Sequence, residues 1–191
     1  MRSLLHLLKY EGLEPIAGKL GALLAAKVAE LPDLPGKMLV VPVPLYKGKR
    51  RERGFNQSEL LARAFCDVMR RLLPAWKGEL APGILVRQHA TQSQAGLTLH
   101  ERRRNLRGVF SVPNPEELRG RDVLLIDDIY TTGATARACS AALKKGGAAS
   151  VWVATVARAQ RHEIQFVSSG IAAQVPMHED VAMWDGRRNN Q

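Results

Sequence analysis

With 191 residues, 46% of them hydrophobic and 24% charged, the chain fits one domain that can bury a proper core. A formal net charge of +10, from 28 basic and 18 acidic residues, favours polyanionic partners: phosphate-bearing metabolites, nucleic acid or a membrane surface. No apolar run approaches a membrane span, Arg2 and Leu-Leu-His-Leu-Leu are too short for a secretory signal, and no Cys-x-x-Cys pair can build a zinc ribbon.

The expectation is a cytoplasmic protein, with Cys66 and Cys139 as buried thiols rather than a disulfide. The periodicity predicts a helix over 13–30, with Pro15 near its first turn and Pro32 just past its end. Leu20, Leu23, Leu24, Ala25 and Val28 form its apolar stripe. Met38 to Val43 reads as a buried strand that ends, or runs along an unpaired edge, at Pro42 and Pro44. Leu45 to Asn56 follows as a charged loop carrying Lys47, Lys49, Arg50, Arg51 and Arg53. Asn56, with Glu59 three residues on, caps a helix to Leu73 whose apolar face is Leu61, Phe65, Val68 and Leu72.

Gly83 to Arg87 predicts a short strand, and Val109 to Val112 a returning one. The polar loop between them, 88–108, holds Thr91, Gln92, Ser93, Gln94, four arginines and Asn105, with a short helix expected over 97–106. Polar connections this long are usually functional or disordered. Gly96, Gly108 and few apolar anchors predict that it is mobile when empty. After the central motif described next, Val151 to Ala157 is another buried strand. Beyond Arg158 the pattern decays, so residues 1–160 are expected to form the domain and 161–191 a partly disordered extension.

The most informative stretch is 123–135. The apolar run Val123 to Ile126 predicts a buried parallel strand, and Asp127 and Asp128 follow it directly. Ile129, Tyr130, Thr131, Thr132, Gly133, Ala134 and Thr135 lead into a helix running to Lys145. Strand, turn and helix in that order present backbone N–H groups at a helix N-terminus, a place to hold a phosphate. Gly133 lets the backbone approach closely, and Thr131, Thr132 and Thr135 add hydroxyl donors. The acids lie one turn away, where they can grip sugar hydroxyls or a hydrated Mg²⁺. A sugar phosphate is the ligand that uses all three features. No Gly-rich loop ending in Lys-Ser or Lys-Thr supports a nucleoside triphosphate instead. Alternating strands and helices imply an α/β fold with a parallel sheet flanked by helices, so the loops after Val43, Arg87 and Ile126 share the carboxyl edge.

The 123–135 motif resembles the phosphoribosyl-pyrophosphate (PRPP) loop of type I phosphoribosyltransferases. Further blocks resemble one branch of them, the ComF-like (competence protein F) family. These are Leu8-Lys9-Tyr10-x-Gly12, Val41-Pro-Val-Pro-Leu45 with Arg50, Arg53-Gly-Phe-Asn-Gln57 and Leu60-Leu-Ala-Arg63. Arg87-x-x-x-Thr91-Gln92, Arg104-Asn105-Leu106-x-Gly108-x-Phe110 and Thr155-x-Ala157-Arg158 complete the set. The resemblance implies that Asp127 and Asp128 hold the ribose hydroxyls, and Mg²⁺ through water or ribose. It places the phosphate on residues 130–135, with Tyr130 and Ala134 as members.

By the same resemblance Leu45 and Tyr46 belong to the pyrophosphate loop, where a cis non-proline peptide is expected, with Arg50 and Arg53 contacting pyrophosphate. Arg87, Thr91, Gln92, Arg104 and Asn105 are the active members of a loop that folds over the site. His89 and His100 receive no role. Many family members begin with a four-cysteine zinc ribbon; either this chain lacks it or the true start lies upstream. The implied function is transfer of phosphoribose to a nitrogenous acceptor, with a link to DNA uptake. A non-catalytic PRPP sensor and a protein gripping single-stranded DNA on Lys47–Arg53 and Arg102–Arg107 are the alternatives. Competence proteins are further expected partners, and the reading leaves room for a homo-oligomer.

Overall fold

Runs of Val, Leu and Ile buried on both faces favour parallel pairing, because only helices on each side can cover such strands. The computed structural model describes residues 14–89, 106, 108–158 and 182–185. In chain order these form α1 (Glu14–Ala29), β1 (Lys37–Pro42), α2 (Lys47–Arg53), α3 (Gln57–Leu72), β2 (Lys77–Leu80) and β3 (Val86–Arg87). Then come β4 (Phe110–Ser111), α4 (Pro115–Leu118), β5 (Asp122–Tyr130), α5 (Ala134–Lys145), β6 (Ser150–Arg158) and β7 (Ala182–Asp185). The main sheet has the order β2-β1-β5-β6-β7, parallel except for β7, and β3 pairs with β4 in a separate antiparallel ribbon.

Side chains alternate across the sheet with period two. Met38, Val40, Leu124, Ile126, Trp152 and Ala154 face α1 and α3, meeting Leu24, Val28, Leu61, Phe65 and Met69. Leu39, Val41, Val123, Leu125, Val151 and Val153 face the other way, onto Cys139 and Leu143 of α5 with Leu85, Phe110 and Leu118. Both cysteines are free and buried, as expected, and burial pushes the Cys66 thiol up to about 11. Among the described residues no helix is long and apolar enough to cross a membrane.

The structure changes several expectations. The charged stretch after β1 is not a loop throughout: Lys47–Arg53 forms α2, closed by Gly54 in the left-handed region (φ 77°), and none of its residues is buried. β2 had no apolar signal, because Lys-Gly-Glu-Leu is an edge strand open to solvent along one side. Its glycine is set by packing, since a Cβ on Gly78 would overlap the Trp76 indole. From beyond Arg158, residues 182–185 return as β7 beside β6. Most of the expected lid, 90–105 and 107, lies outside the described residues.

α1 and α3 cross closely, and Gly21 is the reason. A Cβ there would lie 2.6 Å from Ala64 Cβ and 2.9 Å from Phe65 N. Ala normally outranks Gly inside a helix by about 1 kcal/mol, but here the contact reverses the sign. Gly21→Ala is expected to lower stability by about 1–3 kcal/mol in denaturant unfolding. A variant as stable as the parent, or more so, would contradict this crossing.

Candidate functional site

The site begins where two neighbouring strands part. β1 pairs with β5 as far as Pro42 and Ile126, and Val43 N–H donates to the Ile126 carbonyl at 2.9 Å. β1 then turns away, while β5 continues beside β6 to the pair Tyr130 and Arg158. The strand therefore outruns its apolar part, and Asp127 and Asp128 lie within it rather than after it. Where β1 no longer supplies register partners, the acids cap the backbone themselves. Asp128 N–H donates to Asp127 Oδ1 at 2.9 Å, and Ile129 N–H to Asp128 Oδ1 at 2.8 Å. The alternation slips here: Ile126 and Ile129, three residues apart, both lie against the α1–α3 side.

Asp127 keeps some solvent exposure, yet protein atoms crowd round its carboxylate. Burial, and then the charge of Asp128, push it from an ordinary 3.8 to about 8; hydrogen bonds from Asp128 N–H and the Ser58 hydroxyl oppose the rise. On the other side lies Cys139, whose thiol is raised by burial and by the Asp127 charge, while Arg87 opposes. Arg87 lies on β3 with its guanidinium 5.8 Å from the centre of the Phe110 ring, and burial lowers it below its usual value. Arg87, Cys139 and Asp127 are thus within electrostatic reach of one another.

The first turn of α3 is a part that sequence reasoning missed. Asn56, Gln57 and Ser58 are 7%, 3% and 5% exposed, unusual for three consecutive polar residues. Asn56 Nδ2 donates to the Val43 carbonyl at 3.1 Å, and Asn56 Oδ1 accepts from Ser58 N–H at 3.2 Å. Ser58 Oγ donates to Asp127 Oδ1 at 3.2 Å. Asn56 is the expected cap, but Glu59 does not complete the box; it pairs with Arg50 at 3.3 Å and Arg63 at 2.8 Å. The available signal was three uncharged polar residues opening a strongly amphipathic helix, a pattern that a solvated cap also produces.

Residues 131–135 form the expected turn into α5. Gly133 caps that helix in the left-handed region, φ 71°, which favours glycine. The space a Cβ would take is filled by Tyr130, whose hydroxyl oxygen would lie 2.2 Å from it. Arg137 Nη2 donates to the Thr132 carbonyl at 2.5 Å, and the Arg158 guanidinium sits 5.8 Å from the Tyr130 ring centre. Thr132 and Thr135 are half-buried, Ala134 is buried and Thr131 is exposed. Leu45 and Tyr46 lead into α2, and Tyr46 is extended at φ −63° and ψ 141°. The cis peptide expected there is absent: among the described residues every peptide bond is trans, and nothing at Tyr46 requires the roughly 3 kcal/mol of a cis form.

Arg50 and Arg53 both lie on α2. Thr91, Gln92, Arg104 and Asn105 lie outside the described residues. No group of three or more His, Cys, Asp or Glu able to hold a metal occurs among the described residues.

Residues 79–177 match the family model described as phosphoribosyl transferase domain. The DNA utilization protein YhgH of Escherichia coli O157:H7 is 35% identical over 154 residues, covering 78% of this chain and 63% of that protein. Competence protein F of Haemophilus influenzae is 35% identical over 122 residues, 63% of this chain and 50% of that one. The chain therefore spans less than two thirds of the relatives' length. A solved structure of Trypanosoma cruzi hypoxanthine phosphoribosyl transferase is similar with a TM-score of 0.45 and 15% identity, covering 81% of this chain and 71% of that one.

The buried acid has a pH signature. An unfolded aspartate ionises near 4, whereas folded Asp127 keeps its proton to about 8. Between those values the folded state binds more protons, so this group's contribution to stability falls as the pH rises through that window. Asp127→Asn is expected to flatten the decline between pH 5 and pH 8.5 and to stabilise the empty protein at the alkaline end. Denaturant midpoints for parent and variant at both pH values provide the comparison. Parallel curves would contradict the buried-acid description.

Proposed function

The chain belongs to the phosphoribosyl transferase domain family, and on that premise we propose that it binds PRPP with Mg²⁺ and transfers phosphoribose to a nitrogenous acceptor. One observation carries this reading: two acids at the parting of β1 and β5 lead directly into a glycine-capped helix. Asp127 and Asp128 accept hydrogen bonds from the ribose hydroxyls, and residues 131–135 receive the 5′-phosphate on backbone N–H groups and threonine hydroxyls. Tyr130 closes one side of that cradle. Leu45 and Tyr46 at the start of α2, with Arg50 and Arg53, face the leaving pyrophosphate. The planar guanidinium forks suit paired phosphate oxygens. Arg87, with Thr91, Gln92 and Arg104, completes the charge-neutralising side.

Breaking the anomeric bond generates a cation-like sugar and a pyrophosphate. Positioning and charge compensation do most of the work. Asp127 and Asp128, the first already accepting from the Ser58 hydroxyl and Asp128 N–H, are the residues that would hold a Mg²⁺. When bound, that ion neutralises the departing pyrophosphate. A cytoplasmic location is part of the proposal, since PRPP is an intracellular metabolite in this reading.

A second reading has one observation in its favour: α2 carries five cations in seven residues and buries none of them. The relatives named for DNA utilization and competence make single-stranded DNA or competence proteins the partners it would suggest. In this reading the PRPP site serves binding and regulation rather than turnover. DNA affinity would then fall with salt at a log–log slope of about −0.7 per neutralised phosphate.

Isothermal calorimetry with PRPP and Mg²⁺ tests the site. Asp127→Asn/Asp128→Asn is expected to weaken binding at least tenfold, about 1.4 kcal/mol. Unchanged affinity would remove the acids from the site. Pyrophosphate release in a screen of nitrogenous acceptors then separates an enzyme from a sensor: release with one acceptor supports transfer, and binding without release across the screen supports the sensor.

A further inference from the structure

Within the proposed site the acids and the β1 loop stand on different strands, and one turn of α3 touches both. Asn56 Nδ2 holds the Val43 carbonyl, the last residue before the Pro44–Tyr46 segment, at 3.1 Å. Asn56 Oδ1 holds Ser58 N–H at 3.2 Å, and Ser58 Oγ holds Asp127 Oδ1 at 3.2 Å. Three hydrogen bonds therefore run without a break from the end of β1 to the acid on β5. Asn56, Gln57 and Ser58 are buried, at 7%, 3% and 5% exposure, so water competes poorly for these bonds.

We propose that Ser58 is a positioning residue of the PRPP site: its hydroxyl sets the orientation of Asp127, and through Asn56 the same turn keeps the acid pair in register with the β1 loop. The inference rests on the PRPP reading of the site.

The chemistry favours this role over simple capping. A cap needs only an acceptor for a helix N–H, and Asn56 Oδ1 already provides it. Ser58 Oγ plays no part in that bond; it donates outward to a carboxylate that is 69 residues distant in sequence. Asp127 Oδ1 meanwhile accepts from Asp128 N–H, so one oxygen is held by two donors. Removing the serine donor takes away the hydrogen bond from α3 and leaves the one from Asp128 N–H on its own strand. Asn56 adds the second half of the arrangement. A shift of the Pro44–Tyr46 segment that pulls on the Val43 carbonyl is passed to Ser58 through a buried amide side chain, whose planar geometry fixes the angle between its donor and acceptor.

Calorimetry on the full chain separates this role from a structural one. Ser58→Ala is expected to weaken PRPP·Mg²⁺ binding five- to tenfold, Ser58→Thr to restore it to within twofold, and inorganic phosphate, which reads only the 131–135 loop, to bind unchanged. In an Asp127→Asn background Ser58→Ala is expected to cause no further loss, because the serine acts through that carboxylate. Full PRPP affinity in Ser58→Ala overturns the inference and leaves the reading of the site intact. Equal losses for PRPP and phosphate, or an additive loss in the double variant, overturn it in favour of a general packing role. A parent protein that binds phosphate but not PRPP overturns the reading and this inference with it.

Discussion

Two parallel strands that part company leave backbone donors and acceptors with nothing to pair with, and burial does not allow them to stay unpaired. The rest of the candidate site follows from that condition. β1 stops at Pro42, which cannot donate and suits a strand end, while β5 carries on for four residues. Into the gap go two carboxylates that accept from their own neighbours' N–H groups, and a serine that reaches across from α3. Acids are expensive occupants of such a place, and adjacent acids more so. The fold tolerates them because each has donors ready, and because a large apolar core on both faces of the sheet supplies the surplus stability.

The turn into α5 has a similar economy of space. Gly133 is required twice over, once for its left-handed backbone and once because Tyr130 occupies the volume a side chain would need. Arg137 and Arg158 steady the two sides of the turn, one on the Thr132 carbonyl and the other beside the Tyr130 ring. Arg158 belongs to one of the blocks legible in the sequence, whereas Arg137 did not stand out there. Arg50, which did, shares Glu59 with Arg63, so part of its charge is already compensated within the protein.

The strands and helices with strong apolar periodicity were legible in advance. α1, β1, α3, α5 and β6 lie within a residue or two of their expected limits, because buried aliphatic runs and helix-end residues dictate them. The acid pair and the threonine-glycine turn were legible as well, being a local run whose chemistry is written in consecutive residues. β2 was not, since an edge strand needs no apolar alternation on its open side. The length of β5 was hidden for a related reason: Asp127 and Asp128 look like an ending, and only the three-dimensional loss of β1 explains how a strand accommodates them. Ser58 was invisible because its partner is set by tertiary contact. Among uncharged polar residues at a helix start, nothing local tells a solvated cap from one that reaches another strand.

The sheet order also dictates a sequence of events during synthesis. β1 sits between β2, which follows it after α2 and α3, and β5, which emerges only after β3, β4 and their connections. A growing chain can bring α1, β1, α3 and β2 together early, but the second edge of β1 must wait. Until β5 leaves the ribosome, Leu39, Val40 and Val41 present an unfilled hydrophobic strand edge to whatever is nearby. Closing that edge joins segments far apart in the chain, the kind of step that slows folding and invites misassociation. The strand that later supports the site is also where the incomplete chain is most vulnerable to aggregation.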